Sequence, residues 1–89
     1  MSPNERRHDP LFPGFAQMAE RRREIVNRLV DERVERGLTQ TEVAARMGTS
    51  QSAVARLESG SADVRISTLE RYAAALELTL EVRLAGLEE

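Results

Sequence analysis

The sequence predicts a mainly α fold: four helices followed by one C-terminal β-strand that pairs across a dimer. Three observations lead to this. Apolar residues recur at three- and four-residue spacings in successive segments between Met18 and Leu76. Gly37, Gly48 and Gly60 each follow one of those segments, and Thr39, Ser50 and Ser67 each precede the next with a hydroxyl suited to cap it. After Leu76 the period falls to two.

Residues 1–15 hold all three prolines (Pro3, Pro10, Pro13), and their apolar content is Met1, Leu11, Phe12 and Phe15, which makes a poor helix and a poor core segment. The spacing of Met18, Ile25, Val26, Leu29, Val30 and Val34 amid charges predicts an amphipathic helix over 17–36, ended by Gly37. A second helix opens at Thr39. Its hydroxyl and Glu42 form a capping box, Leu38 and Val43 are placed as a hydrophobic staple, and the helix runs to Met47. Gly48 supplies a tight turn, and Ser50 caps a third helix over 51–59 that stops at Gly60. Ser67 with Glu70 predicts a second capping box, and Leu69, Tyr72, Ala73 and Leu76 form the apolar stripe of a fourth helix.

Leu78, Leu80, Val82 and Leu84 then alternate with Thr79, Glu81 and Arg83, the pattern of a strand with one apolar face. The chain offers it no partner strand, so a symmetric dimer is expected in which two copies pair along it. A twofold centre at Leu80 or Val82 avoids placing Glu81 opposite Glu81.

Composition bounds the function. Eighty-nine residues, 40% of them hydrophobic, suffice for one small domain. With no cysteine and only His8 as an imidazole, the chain has no disulfide, thiolate metal site or cysteine nucleophile, and no histidine pair for zinc or acid–base work. Neither a metal nor a cofactor is expected. Gly37, Gly48 and Gly60 punctuate helices rather than cluster into a phosphate loop, and acids such as Asp31, Glu32 and Glu35 sit on a helix surface, so an enzyme is not expected. No apolar run nears the roughly 18 residues of a membrane span, and residues 1–10 do not read as a signal peptide, so the expected location is the cytoplasm.

Thirteen basic residues against 15 acidic ones give a net charge of −2, unevenly spread. Residues 57–89 are clearly acidic, whereas residues 1–56 are mildly basic. Every basic residue is arginine, a planar donor that bonds phosphate or carboxylate bidentately. A biased genome is the plainer cause of that usage.

The informative stretch is QTEVAARMGTSQSAVARLES, Gln40 to Ser59. Ala44 is small where the second helix crosses the third, Gly48 turns the corner, and Val43, Met47, Val54 and Leu57 fix the pair by apolar contact. Ala53, Val54 and Leu57 point inward, which leaves Gln51, Ser52, Ala55 and Arg56 as an outward face of small and hydrogen-bonding groups. Such a face suits the floor of a major groove, where Arg bonds guanine O6 and N7 and Gln bonds adenine N6 and N7.

Over residues 25–76 the sequence resembles the phage-repressor and Cro-like (XRE) helix-turn-helix family, carried by RGLTQTEVAARMG and TSQSAVARLESG. The resemblance implies a lambda-repressor-like domain over 16–76, between a flexible tail (1–15) and a dimerisation strand and tail (77–89). It implies double-stranded DNA as partner, read by a homodimeric repressor with each third helix in one half-site of an inverted repeat. Gln51, Ser52 and Arg56 are then the base readers. Thr39, Gln40, Ser50, Ser59 and Ser61 hold backbone phosphates, and Arg33 and Glu58 form a structural ion pair. The run Arg21 to Arg23 either touches flanking phosphates or, with Glu20 and Glu24, is a solvated helix face.

The ending TLERYAAALELTLEVRL, with its strand, resembles HigA-type antitoxins, although Glu77 stands where related sequences often carry glycine. That resemblance implies an alternative: an antitoxin that represses its own operon and neutralises a ribonuclease toxin. Leu11, Phe12 and Phe15 would then be a candidate partner-binding tail, or else fold back on the domain.

Overall fold

A computed structural model describes residues 15–60 and 63–86, with side chains from Ala16 onward. Its elements are α1 (Phe15–Glu35), α2 (Gln40–Met47), α3 (Gln51–Ser59) and α4 (Ile66–Ala75). The four-helix expectation holds, and α1 opens two residues earlier than its apolar spacing suggested, at Phe15. Of the candidate tail residues, Leu11 and Phe12 lie outside the described residues, and Phe15 enters only as the first residue of α1.

Local chemistry sets the boundaries. Gly37 takes a left-handed φ of 71° after α1, with its N–H on the Val34 carbonyl at 2.9 Å and the Leu38 N–H on the Arg33 carbonyl at 3.1 Å. Thr39 caps α2 through the complete capping box: its hydroxyl accepts from the Glu42 N–H at 3.0 Å, and its own N–H donates to Glu42 Oε1 at 2.8 Å. Ser50 caps α3, accepting from the Ala53 N–H at 3.1 Å.

The expected capping box at Ser67 and Glu70 does not form. α4 begins at Ile66 with Arg65 at the N-cap and no side-chain hydrogen bond there. The Arg65 carbonyl already accepts from the Thr68 and Leu69 N–H groups at 3.0 and 3.1 Å, so the helical ladder starts upstream of Ser67 and leaves its hydroxyl inside the first turn.

The core lies where the four helices meet. Val26 and Leu29 of α1, Val43, Ala44 and Met47 of α2, Val54 and Leu57 of α3, and Leu69, Tyr72, Ala73 and Ala75 of α4 are buried together with Leu76. Each large side chain so buried contributes about 2 kcal/mol. Val30 and Leu38 pack against its edge. The rest of the α1 stripe is less covered, for Met18, Ile25 and Val34 are exposed.

No strand forms among the described residues after Leu76, which overturns the β-strand over 78–84, its pairing across a dimer, and the likeness to HigA-type antitoxins insofar as it rested on that strand. The period-two pattern is real but has another outlet. With no second strand among the described residues to complete a ladder, Leu78 and Leu80 pack onto the chain's own core, while Val82 and Leu84 stay exposed. The question of a twofold centre at Leu80 or Val82 falls with the strand.

Candidate nucleic-acid interface

α2 and α3 are joined by residues 48–50, and Gly48 makes the turn. Its φ of 72° and ψ of 35° lie in the left-handed region, where a side chain costs about 1 kcal/mol or more. The Thr49 N–H reaches the Ala44 carbonyl at 2.9 Å, tying off α2 before Ser50 starts α3. Val43, fully buried, and Val54, 1% exposed, join the two helices through the shared core.

α3 then carries two unlike faces. Val54 and Leu57 are buried and Ala53 is half-buried; Gln51, Ser52 and Arg56 are exposed, and Ala55 is half-buried rather than fully outward. The Arg56 guanidinium has no hydrogen-bond or ion-pair partner among the described residues. Ser52 Oγ lies 3.2 Å from Ser50 Oγ at the helix start. Together these groups offer a donor fork, an amide and a hydroxyl on one side of a short, well-anchored helix.

Beneath that face sits Glu58, half-buried, whose side chain is only 8% exposed. Arg33 of α1 donates to it twice, Nε to Oε2 at 2.7 Å and Nη2 to Oε1 at 3.1 Å. Arg33 Nη1 donates to the Leu38 carbonyl at 2.7 Å, so the same guanidinium also holds the α1–α2 connection. The Tyr72 hydroxyl donates to Glu58 Oε2 at 2.5 Å, and Gln40 Nε2 donates to Oε1 at 2.8 Å. Burial pushes the Glu58 carboxyl up, but the hydrogen bonds from Arg33, Tyr72 and Gln40, with the Arg33 charge, outweigh it and hold the carboxyl below its ordinary value. Burial and then the bond to Glu58 push the Tyr72 phenol well up, and the bond to Glu58 raises Arg33.

The residues nominated for phosphate separate into distinct settings. Thr39 and Ser50 are exposed at the N-termini of α2 and α3, each with its oxygen already accepting a capping N–H and its O–H still able to donate. The bond from the Thr39 N–H, then its hydroxyl contact, keeps the Glu42 carboxyl below its ordinary value. Ser59 is exposed and donates to the Arg56 carbonyl at 2.6 Å. Ser61 lies outside the described residues. Gln40 is half-buried and engaged at both ends, since its Oε1 accepts from Gln51 Nε2 at 2.7 Å. Of the arginine run, all exposed, Arg22 lies 3.4 Å from Asp63 on the surface.

Two partners of this site escaped sequence reasoning. Tyr72 reads as one more member of the α4 stripe, yet a tyrosine in an otherwise aliphatic buried stripe needs a partner for its hydroxyl, and that signal was available. The contact of Gln40 with Glu58 crosses 18 positions and has no local signature. Arg46 Nη1, which donates to the Ala75 carbonyl at 2.7 Å and secures the end of α4, was likewise not singled out.

Two short helices locked about a left-handed glycine, the second offering a polar face beside a buried core, define a helix-turn-helix protein. The helix-turn-helix family model matches residues 29–82, and the chain belongs to that family. It is 42% identical over 74 residues to Antitoxin HigA1 of Mycobacterium tuberculosis, in strains CDC 1551 / Oshkosh and ATCC 25618 / H37Rv alike. The match takes in 83% of this chain and 50% of each relative, so the chain spans about half the length of the curated relatives it matches. No solved structure gives a significant match. The chain is thus a helix-turn-helix protein related to HigA antitoxins. Among the described residues no cluster of metal-ligating side chains occurs, and no helix is long and apolar enough to cross a membrane.

Proposed function

We propose that the chain is an antitoxin of the HigA type that binds double-stranded DNA as a homodimer, represses its own operon and neutralises a cognate ribonuclease toxin. One observation carries the DNA-binding half: Gln51, Ser52 and Arg56 stand exposed on one face of a helix whose other face is anchored in the core. In this reading α3 enters the major groove, with one α3 in each half-site of an inverted repeat. Gln51, Ser52 and Arg56 read bases. Thr39, Gln40, Ser50, Ser59 and Ser61 contact the phosphates flanking them.

The likeness to Antitoxin HigA1 favours the toxin-binding half over a stand-alone repressor. Leu11, Phe12 and Phe15 are the candidate toxin contacts. Sequence selection from a random DNA pool, with a native mass measurement on the same sample, tests the first half; co-purification with the product of the adjacent reading frame tests the second. An enriched inverted repeat bound by a dimer, together with a stable toxin complex, supports the whole reading. Enrichment without a toxin complex leaves a stand-alone repressor, and a toxin complex without enrichment leaves a pure inhibitor. Removal of residues 1–15 is expected to weaken toxin capture while DNA binding survives.

A further inference from the structure

The polar groups at the α2–α3 junction form a chain with a fixed direction. Glu58 is held ionised by Arg33 and Tyr72, and a carboxylate only accepts hydrogen bonds. Gln40 therefore must turn its NH2 toward Glu58, the Nε2 to Oε1 contact of 2.8 Å. That leaves the Gln40 carbonyl oxygen facing Gln51, which in turn must donate, Nε2 to Oε1 at 2.7 Å. Amide orientations are ordinarily a choice between two near-equal states; here an ion two residues away removes the choice.

We infer that Glu58, acting through Gln40, is a positioning residue that sets which base Gln51 reads. This rests on the proposed DNA-binding role of α3. An unconstrained glutamine amide offers two N–H donors and one carbonyl. With one N–H committed to Gln40, Gln51 keeps one donor and one acceptor for the groove. Adenine presents N7 as acceptor and N6 as donor in the major groove, the complement of that pattern, whereas guanine presents two acceptors, N7 and O6. The relay thus selects adenine at the position under Gln51 and rejects guanine, because the second N–H that guanine requires is occupied.

Reversing the relay should reverse the choice. In Glu58→Gln the amide oxygen stays at the Oε2 position with Arg33 Nε and Tyr72, the two shorter contacts, and its NH2 takes the Oε1 position, giving up the 3.1 Å bond from Arg33 Nη2 and facing Gln40. Gln40 then turns its oxygen inward and its NH2 toward Gln51, which must accept with its carbonyl and is left with two donors, the pattern guanine takes. Gln40→Leu cuts the relay, removes one bond to Glu58 while leaving those from Arg33 and Tyr72 in place, and leaves the Gln51 amide unconstrained.

The experiment uses the full chain and a DNA duplex carrying the selected repeat. The position read by Gln51 is the one whose preference disappears in Gln51→Ala. Binding is then compared between adenine and guanine at that position by fluorescence anisotropy, for wild type, Gln40→Leu and Glu58→Gln. The expected result is an adenine preference of about tenfold or more in wild type, a ratio near one in Gln40→Leu, and a shift toward guanine in Glu58→Gln. Loss of a phosphate contact by Gln40 would weaken both duplexes equally and leave the ratio unchanged. In the Gln51→Ala background, Gln40→Leu should not alter the ratio further. If Glu58→Gln fails to melt cooperatively, the Gln40→Leu ratio decides alone. Guanine preferred by wild type, no position assigned to Gln51, or an unchanged ratio in Gln40→Leu would overturn the relay while leaving specific DNA binding intact. Absence of any selected sequence would remove the relay together with the DNA-binding reading beneath it.

Discussion

Arg33 and Glu58, 25 residues apart, close a two-pronged ion pair between the end of α1 and the end of α3, with Nε to Oε2 at 2.7 Å and Nη2 to Oε1 at 3.1 Å. Their side chains are 13% and 8% exposed, so the pair lies largely out of water and its members depend on each other. Arg33→Leu strands the carboxylate with only Tyr72 and Gln40 for company and is expected to cost about 3 kcal/mol. The pH dependence has a definite sign. Because the folded Glu58 carboxyl sits below its unfolded value of about 4.3, its contribution is complete above that pH and drains away as pH falls through the lowered folded value. Urea midpoints from pH 7 down to pH 3 should therefore converge for wild type and Glu58→Gln; a constant gap would show that ionisation of Glu58 does not support the fold.

Glu77 occupies a place built for glycine. Its φ is 62°, and it is the one non-glycine residue at positive φ among those described. The Glu77 N–H bonds the Ala74 carbonyl and the Leu78 N–H the Ala73 carbonyl, both at 2.8 Å, which closes α4 and aims Leu78 at the core. Left-handed backbone costs an ordinary L-residue about 1 to 2 kcal/mol, partly offset by the greater freedom glycine has when unfolded. Glu77→Gly is thus expected to stabilise by about 0.5 to 1 kcal/mol, raising the melting temperature by a few degrees. Glu77→Ala should leave it nearly unchanged, and an equal gain from both variants would point to charge rather than backbone.

Legibility in the sequence followed the range of the interaction. Capping and turn chemistry is local, and Gly37, Thr39, Gly48, Ser50 and Gly60 placed three helices to within about two residues. Ser67 failed for a local reason too: the Arg65 carbonyl starts the ladder first, and nothing in the Ser67-to-Glu70 spacing reveals that competition. The segment after Leu76 failed because alternation specifies one buried face, not what buries it, and the chain's own core took Leu78 and Leu80. At the site, the outward residues of α3 follow from helical period alone. The Glu58 cluster draws on α1, α2 and α4 at once, so periodicity within any one helix could suggest members but not the hydrogen-bond order among them.

The α2 cap offers a test of how firmly the turn is held. Thr39 gives and receives one bond with Glu42, which satisfies an N–H at the start of α2 next to Gln40. Thr39→Ala removes the acceptor and is expected to cost about 1 kcal/mol, with Thr39→Ser recovering most of it. If the proposed phosphate contact by the same hydroxyl exists, Thr39→Ala should in addition lower DNA affinity by the same factor on any sequence. Thermal melts and anisotropy titrations on selected and random duplexes separate the two effects.

Arg56 carries the sharpest prediction about recognition. It is exposed at the middle of the outward face of α3, and its guanidinium is uncommitted among the described residues, so no intramolecular bond has to break before it engages DNA. A guanidinium that reads guanine O6 and N7 contributes only on the correct sequence, and Arg56→Ala is then expected to cost about 1 to 3 kcal/mol on the selected site and little on random DNA. A guanidinium that merely meets a phosphate would weaken both equally and reduce the salt dependence by about one counterion. Stability is a useful control, because truncating an exposed side chain with no partner should move the melt by less than about 0.5 kcal/mol. Titrations on both duplexes at two or more salt concentrations distinguish these cases. Equal losses on the two sequences, with a shallower salt slope, would remove Arg56 from the base readers and place it with the phosphate contacts.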